Sequence, residues 1–119
     1  MINTCTRTYE ATGPGVNALD CEVRYELGGR SWGTGKMLPR GYYFSMQPIM
    51  RKGNVVSFTA FSGEKDCIIE CGRQSAKRYE QAKAMLDDLV ANRVPNFCKR
   101  ADIEVDLSTY SQRERERRP

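Results

Sequence analysis

The spacing of apolar residues changes once along this chain, and that change limits what it can fold into. Gly41–Met50 (GYYFSMQPIM) is aromatic and apolar, and Gly53 with Asn54 supplies a turn. Residues 55–61 (VVSFTAF) then alternate, with Val56, Phe58 and Ala60 on one face and Ser57, Thr59 and Phe61 on the other. Ser62 and Gly63 turn the chain into residues 65–71 (KDCIIEC), where Cys67, Ile69 and Cys71 oppose Asp66, Ile68 and Glu70. This predicts a meander of three strands. After Gly72 the period lengthens to about 3.6 residues, the helical repeat. Tyr79, Ala82, Leu86, Leu89 and Val90 form one stripe, and Lys77, Glu80, Gln81, Ala84 and Asp88 lie away from it. The spacing predicts a helix over 75–92 with Ser75 as N-cap, stopped shortly before Pro95. Its apolar stripe has one destination, the apolar face of the meander.

The remaining segments extend that picture. Residues 1–9 alternate Thr4, Thr6 and Thr8 with Cys5, Arg7 and Tyr9, the pattern of an edge strand. Residues 11–17 (ATGPGVN) read as a loop. Residues 20–27 read as a strand with Cys21, Val23, Tyr25 and Leu27 inward and a charged face of Glu22, Arg24 and Glu26. Residues 95–100 read as a loop with Phe97 and Cys98 tucked inward, and 102–107 (DIEVDL) as a final strand with an acidic outer face. The expected fold is α+β: an antiparallel sheet of four to five strands with one main helix, in the C-terminal half, packed on one face. Residues 1–107 form a single domain, and the charge-alternating tail 108–119 is expected to be disordered.

At 119 residues the chain has room for one core. No apolar run approaches the roughly 20 residues of a membrane span, and residues 1–10 lack the apolar centre of a signal peptide, so the expectation is a soluble, cytoplasmic protein. In that compartment five scattered cysteines read as small buried hydrophobes. The net charge of +4 comes largely from the arginines after residue 112, so the folded part is nearly balanced. Such a balance permits nucleic-acid binding without demanding it.

Chemistry is constrained by what is missing. There is no histidine, hence neither the commonest general base nor the usual partner of cysteine on zinc. No two cysteines are spaced as CxxC, and Cys67 and Cys71 on one strand would stand roughly 13 Å apart. No metal, cofactor or catalytic constellation is expected, and the chain reads as a non-enzyme. A thiol nucleophile at Cys71 beside Arg73 is the remote enzymatic option.

Two basic stretches stand out instead. The Gly-rich segment 28–39 (GGRSWGTGKMLP) holds Trp32 between Arg30 and Lys36, and Arg40 follows it. Its Gly35-Lys36 pair fails as a phosphate loop, because Arg30 occupies the position of the first glycine and Met37 follows the lysine. Trp32 either caps the core or stands exposed to stack on a base or anchor a partner. The second stretch is Arg73, Lys77 and Arg78 at the start of the helix, where the macrodipole favours anions over cations. The side chains are either long, solvated and tolerated there, or form with the first-turn N–H groups a pocket for phosphate.

Three resemblances bear on function. Arg40-Gly41-Tyr42-Tyr43-Phe44 resembles the opening of the RNA-recognition-motif signature, but Tyr43, Ser45 and Gln47 depart from it and the βαββαβ order is absent. Ser75, Lys77, Arg78 and Ala82 resemble the second-helix start of the double-stranded RNA-binding domain over some twenty residues, a likeness of local design. From Tyr25 to Ala82, the pattern LGG, TG, PRGYYFSMQP, VSFTAFSG and RQSAK is similar to small proteins carried by bacterial phages and plasmids. That resemblance implies a mobile-element setting, in which small α+β proteins act by binding host machinery, as anti-CRISPR proteins do. The function expected is therefore an accessory protein that binds nucleic acid or a nucleoprotein complex through Arg73, Lys77 and Arg78, with Trp32, Arg30, Lys36 and Arg40 as further contacts. The alternative is an inhibitor of a host defence complex acting by direct protein contact, through the same basic patch or through the acidic strand 102–106 as a DNA mimic. No membrane is implied.

Overall fold

A computed structural model of Met1–Pro119 describes residues 1–31, 33–50 and 59–119. The expected Trp32 contact, Phe58 and most of the 55–61 strand lie outside the described residues. The chain folds as α+β, as the change of period requires. Strands β1 (Thr4–Gly13), β2 (Val16–Glu26), β5 (Gly41–Met50), β6 (Ile68–Glu70) and β7 (Glu104–Arg115) form one sheet in the order β6-β5-β2-β1-β7, each neighbouring pair antiparallel. A two-stranded hairpin of β3 (Gly29–Arg30) and β4 (Met37–Leu38) stands apart from it.

Register explains the core. Cys5 pairs with Val23 and Val23 with Phe44, and Tyr25 pairs with Tyr42 and Tyr42 with Ile69, so apolar rows cross the sheet on one face. Helix α1 (Ala76–Asn92) lies over that face and buries Tyr79, Ala82, Leu86, Leu89 and Val90, the stripe read from the sequence. Leu86 is fully buried, worth about 1.5–3 kcal/mol of transfer free energy. The other face is polar. Thr6 Oγ1 donates to Glu22 and Thr8 Oγ1 to Asp20, each at 2.7 Å, and the Arg24 guanidinium bridges Glu22 and Glu26.

Five expectations are corrected. First, β6 pairs directly with β5, and only residues 68–70 of the 65–71 segment extend; Lys65–Cys67 is a 3-10 turn. From the intervening stretch, Ala60 exchanges two backbone hydrogen bonds with Met46, at 2.8 and 3.0 Å. Second, β1 is an interior strand, because the supposedly disordered tail supplies the edge. Third, that tail is ordered as far as Arg115: β7 continues through it, with Tyr110 opposite Tyr9, Gln112 opposite Arg7 and Glu114 opposite Cys5. Low hydrophobicity suggested disorder, but a neighbouring strand supplies hydrogen-bond partners to the backbone whatever the side chains. Fourth, residues 11–17 form the ends of β1 and β2 around a tight turn at Pro14 and Gly15, where Gly15 has φ +74°. Fifth, 95–100 belongs to helix α2 (Val94–Arg100), since Pro95 sits in the first turn, where its missing N–H costs nothing. Cys98 is buried there as expected.

Candidate functional site

The start of α1 follows from its capping. Ser75 is extended (φ −154°, ψ 156°) and its Oγ accepts the Arg78 N–H at 3.1 Å, satisfying one of the donors a helix leaves unpaired. No acidic residue occupies the first turn. The segment leading into it is tied to the sheet at two points: the Cys71 N–H donates to the Arg40 carbonyl at 3.0 Å, and the Tyr25 hydroxyl donates to the Gly72 carbonyl at 3.2 Å. These bonds place the Arg40 end of β5 against the residues that enter α1. Arg40, Arg73, Lys77 and Arg78 are all exposed.

Pairing separates these cations from those that tie the elements together, a property they share with Lys36, Lys65, Lys99, Arg100 and Arg113, which have no carboxylate partner among the described residues either. Arg7 is paired with Asp87, Arg24 with Glu26, Lys83 with Glu80 and Glu114, Arg93 with Glu64 and Asp66, and Arg115 with Glu22. Among the described residues no carboxylate pairs with Arg40, Arg73, Lys77 or Arg78. The Arg78 Nη1 donates instead to the neutral Gln81 amide oxygen at 2.9 Å, which lays its guanidinium along the helix.

The structure divides the sequence-derived candidates. Lys77 and Arg78 stand in the first turn of α1 and Arg73 two residues before its Ser75 cap, while the backbone bond from Cys71 brings the Arg40 main chain alongside that approach. Arg30 and Lys36 belong to the β3–β4 hairpin, which borders the polar face of the sheet, opposite α1. Arg30 is already engaged, its Nη1 donating to the Gly35 carbonyl at 2.9 Å. It also lines a cleft of about 200 Å³ with Glu22, Arg24 and Glu26, whose carboxylates oppose entry of an anion. Lys36 is exposed beyond that cleft.

The thiols are held in their protonated form. Burial pushes the Cys71 thiol up, with the Arg78 cation opposing it, and burial pushes Cys67 up to about 12. A nucleophilic thiolate at Cys71 is thus disfavoured by its surroundings. Among the described residues no three His, Cys, Asp or Glu side chains are placed to hold a metal, and no helix is long and apolar enough to cross a membrane.

Sequence reasoning missed Arg93. Its guanidinium reaches Asp66 at 2.6 Å and Glu64 at 3.0 Å and lies 4.8 Å over the Phe61 ring, fastening the loop before β6 to the junction of α1 and α2. The only signal for it in the sequence is the acidic pair flanking Lys65. Of the arginines after residue 112, expected in a disordered tail, Arg113 and Arg115 stand in β7. No family model, no curated protein and no solved structure matches this chain, so its function has to be read from the chemistry of the site itself.

Proposed function

We propose that this chain is a non-enzymatic binding module that grips the phosphate backbone of a nucleic acid, free or within a nucleoprotein complex, through Arg73, Lys77 and Arg78 with Arg40 beside them. The observation that carries this reading is the contrast in pairing: the cations that tie the sheet and helices together have carboxylates, whereas those at the α1 start are exposed and have none among the described residues. They also stand at the positive end of the helix dipole, where an external anion would be favoured. A phage or plasmid setting rests on the resemblance carried between Tyr25 and Ala82, and a cytoplasmic location belongs to the same reading.

Fluorescence anisotropy with labelled single- and double-stranded DNA and RNA at two salt concentrations tests it. Binding is expected to weaken steeply with salt, and each of Arg73→Ala, Lys77→Ala and Arg78→Ala is expected to reduce the salt slope by about one unit. Absence of binding at low salt would overturn the nucleic-acid reading and leave a protein partner of the inhibitor kind, to be sought by pull-down.

A further inference from the structure

The outer edge of β7 carries a charge pattern that complements itself. The sheet order ends at β7, a strand of 12 residues, and among the described residues no other strand lies beyond it. Its register on β1 divides it in two. Tyr110 faces Tyr9, Arg113 faces Thr6 and Arg115 faces Thr4; on the other side Val105 faces Ala11 and Glu104 faces Thr12. Between the halves, residues 106–109 stand where β1 has only Glu10, and this excursion is closed on itself by Asp106, which accepts from the Ser108 N–H at 3.0 Å and its hydroxyl at 2.6 Å.

Two consequences follow from that register. Counted along β1, Thr6 and Thr12 each lie three positions from Tyr9, so Arg113 and Glu104, both exposed, stand at matching β1 positions on either side of Tyr110, with the β1 register shifting between Glu10 and Gly13. The sign of the exposed, unpaired charge also changes at Tyr110: Asp102 and Glu104 come before it and Arg113 after it, Arg115 being paired with Glu22. The acids of the basic half are already neutralised, Glu114 by Lys83 at 3.3 Å and Glu116 by the amino terminus at 2.7 Å. Tyr110 itself is a large side chain left 43% exposed.

The geometry points to a symmetric dimer in which β7 strands of two copies pair antiparallel about Tyr110. A two-fold axis normal to the sheet keeps each face on its own side, so Arg113 of each copy falls opposite Glu104 of the other, and the two Tyr110 rings meet at the centre. The excursion at 106–109 falls opposite the small Ser111. A row of like charge along an edge normally prevents such pairing. Here the sign reverses midway, so the same charges reject other registers and select this one.

Sedimentation equilibrium over the micromolar range tests this, with circular dichroism to verify folding. The average mass is expected to rise with concentration towards twice the 13.6 kDa of one chain. Arg113→Glu is expected to raise the dissociation constant about tenfold or more, and Arg113→Glu combined with Glu104→Arg to restore it, because the swap re-forms both cross-strand pairs. Should Arg113→Glu unfold, Glu104→Arg alone reads the same contact from its other end. A chain that stays monomeric throughout, or an association indifferent to these substitutions, would overturn the proposal.

Discussion

Arg7 of β1 reaches Asp87 of α1 at 2.5 Å, and the two partners are unequally placed: the arginine side chain is 10% exposed, the aspartate 64%. Arg7 Nε also donates to the Gln112 amide oxygen at 2.9 Å, and its guanidinium lies 4.8 Å over the Tyr110 ring. One side chain thus joins the helix to β1 and β7. The hydrogen bond and charge of Asp87 outweigh the desolvation of Arg7, so its pKa rises and it stays charged at every ordinary pH.

The inequality gives the first prediction. Asp87→Ala removes an exposed carboxylate whose attraction is screened by water, and should cost on the order of 1–2 kcal/mol. Arg7→Ala removes the buried packing over Tyr110 and the hydrogen bond to Gln112 as well, and should cost about 2–4 kcal/mol. Urea denaturation of both variants at neutral pH decides the order. A larger loss for Asp87→Ala would show that the uncompensated buried cation, rather than lost packing, dominates.

Truncation after Leu107 is the second test, and it addresses the edge strand. The deletion removes the residues opposite Thr4 to Tyr9, together with Tyr110, which packs on Tyr9 at 5.3 Å, and Glu114, which holds Lys83. It would leave buried Cys5, Arg7 and Tyr9 on a new sheet edge. The truncated chain should melt well below the full chain or fail to fold, as thermal denaturation followed by circular dichroism would show. An unchanged melting temperature would mean that 108–115 contributes nothing to the sheet.

The tail is ordered by a partner strand and not by a pattern of its own. The helix, its Ser75 cap and its stripe were legible because burial on one side writes a period into the sequence, and β2 was legible for the same reason. β7 beyond Leu107 buries neither face, so its side chains carry no period; it is a strand because β1 offers it backbone partners, a fact located a hundred residues away. The candidate site divides in the same way. The neighbourhood of Arg73, Lys77 and Arg78 follows from their closeness along the chain at the helix start and could be read directly. The separation of Arg30 and Lys36 from them depends on which face of the sheet the hairpin borders, which no local pattern encodes.

A third prediction concerns acid. Hydrogen bonding to Arg93, and secondarily its charge, holds the Asp66 carboxyl below its ordinary range. The stability this contributes is present above the unfolded carboxyl value near ~4 and is lost as pH falls through the lower folded value. Both groups are largely solvated, so the effect is small. Stability of the native chain should fall more between neutral and strongly acid pH than that of Arg93→Ala, measured by urea midpoints at both. Equal slopes would show that the Arg93 clamp contributes no pH dependence.

The last prediction separates packing from recognition at Gly41. In the stretch Arg40 to Phe44 a glycine invites a nucleic-acid reading, but its position in the sheet explains it differently. A methyl group on Gly41 would stand 2.1 Å from the Ile69 carbonyl oxygen and 3.0 Å from the Glu70 Cα, both backbone atoms of β6 that cannot rotate away. Gly41→Ala must therefore push β6 outward and weaken the Cys71–Arg40 hydrogen bond that ties the α1 approach to the sheet, at a cost of about 1–3 kcal/mol. Gly72→Ala, with open space around it, should leave stability nearly unchanged. Amide hydrogen exchange at Ile69 and Cys71 reads the difference: faster exchange in Gly41→Ala alone places the glycine's role in strand approach, whereas unchanged exchange and melting would remove that role.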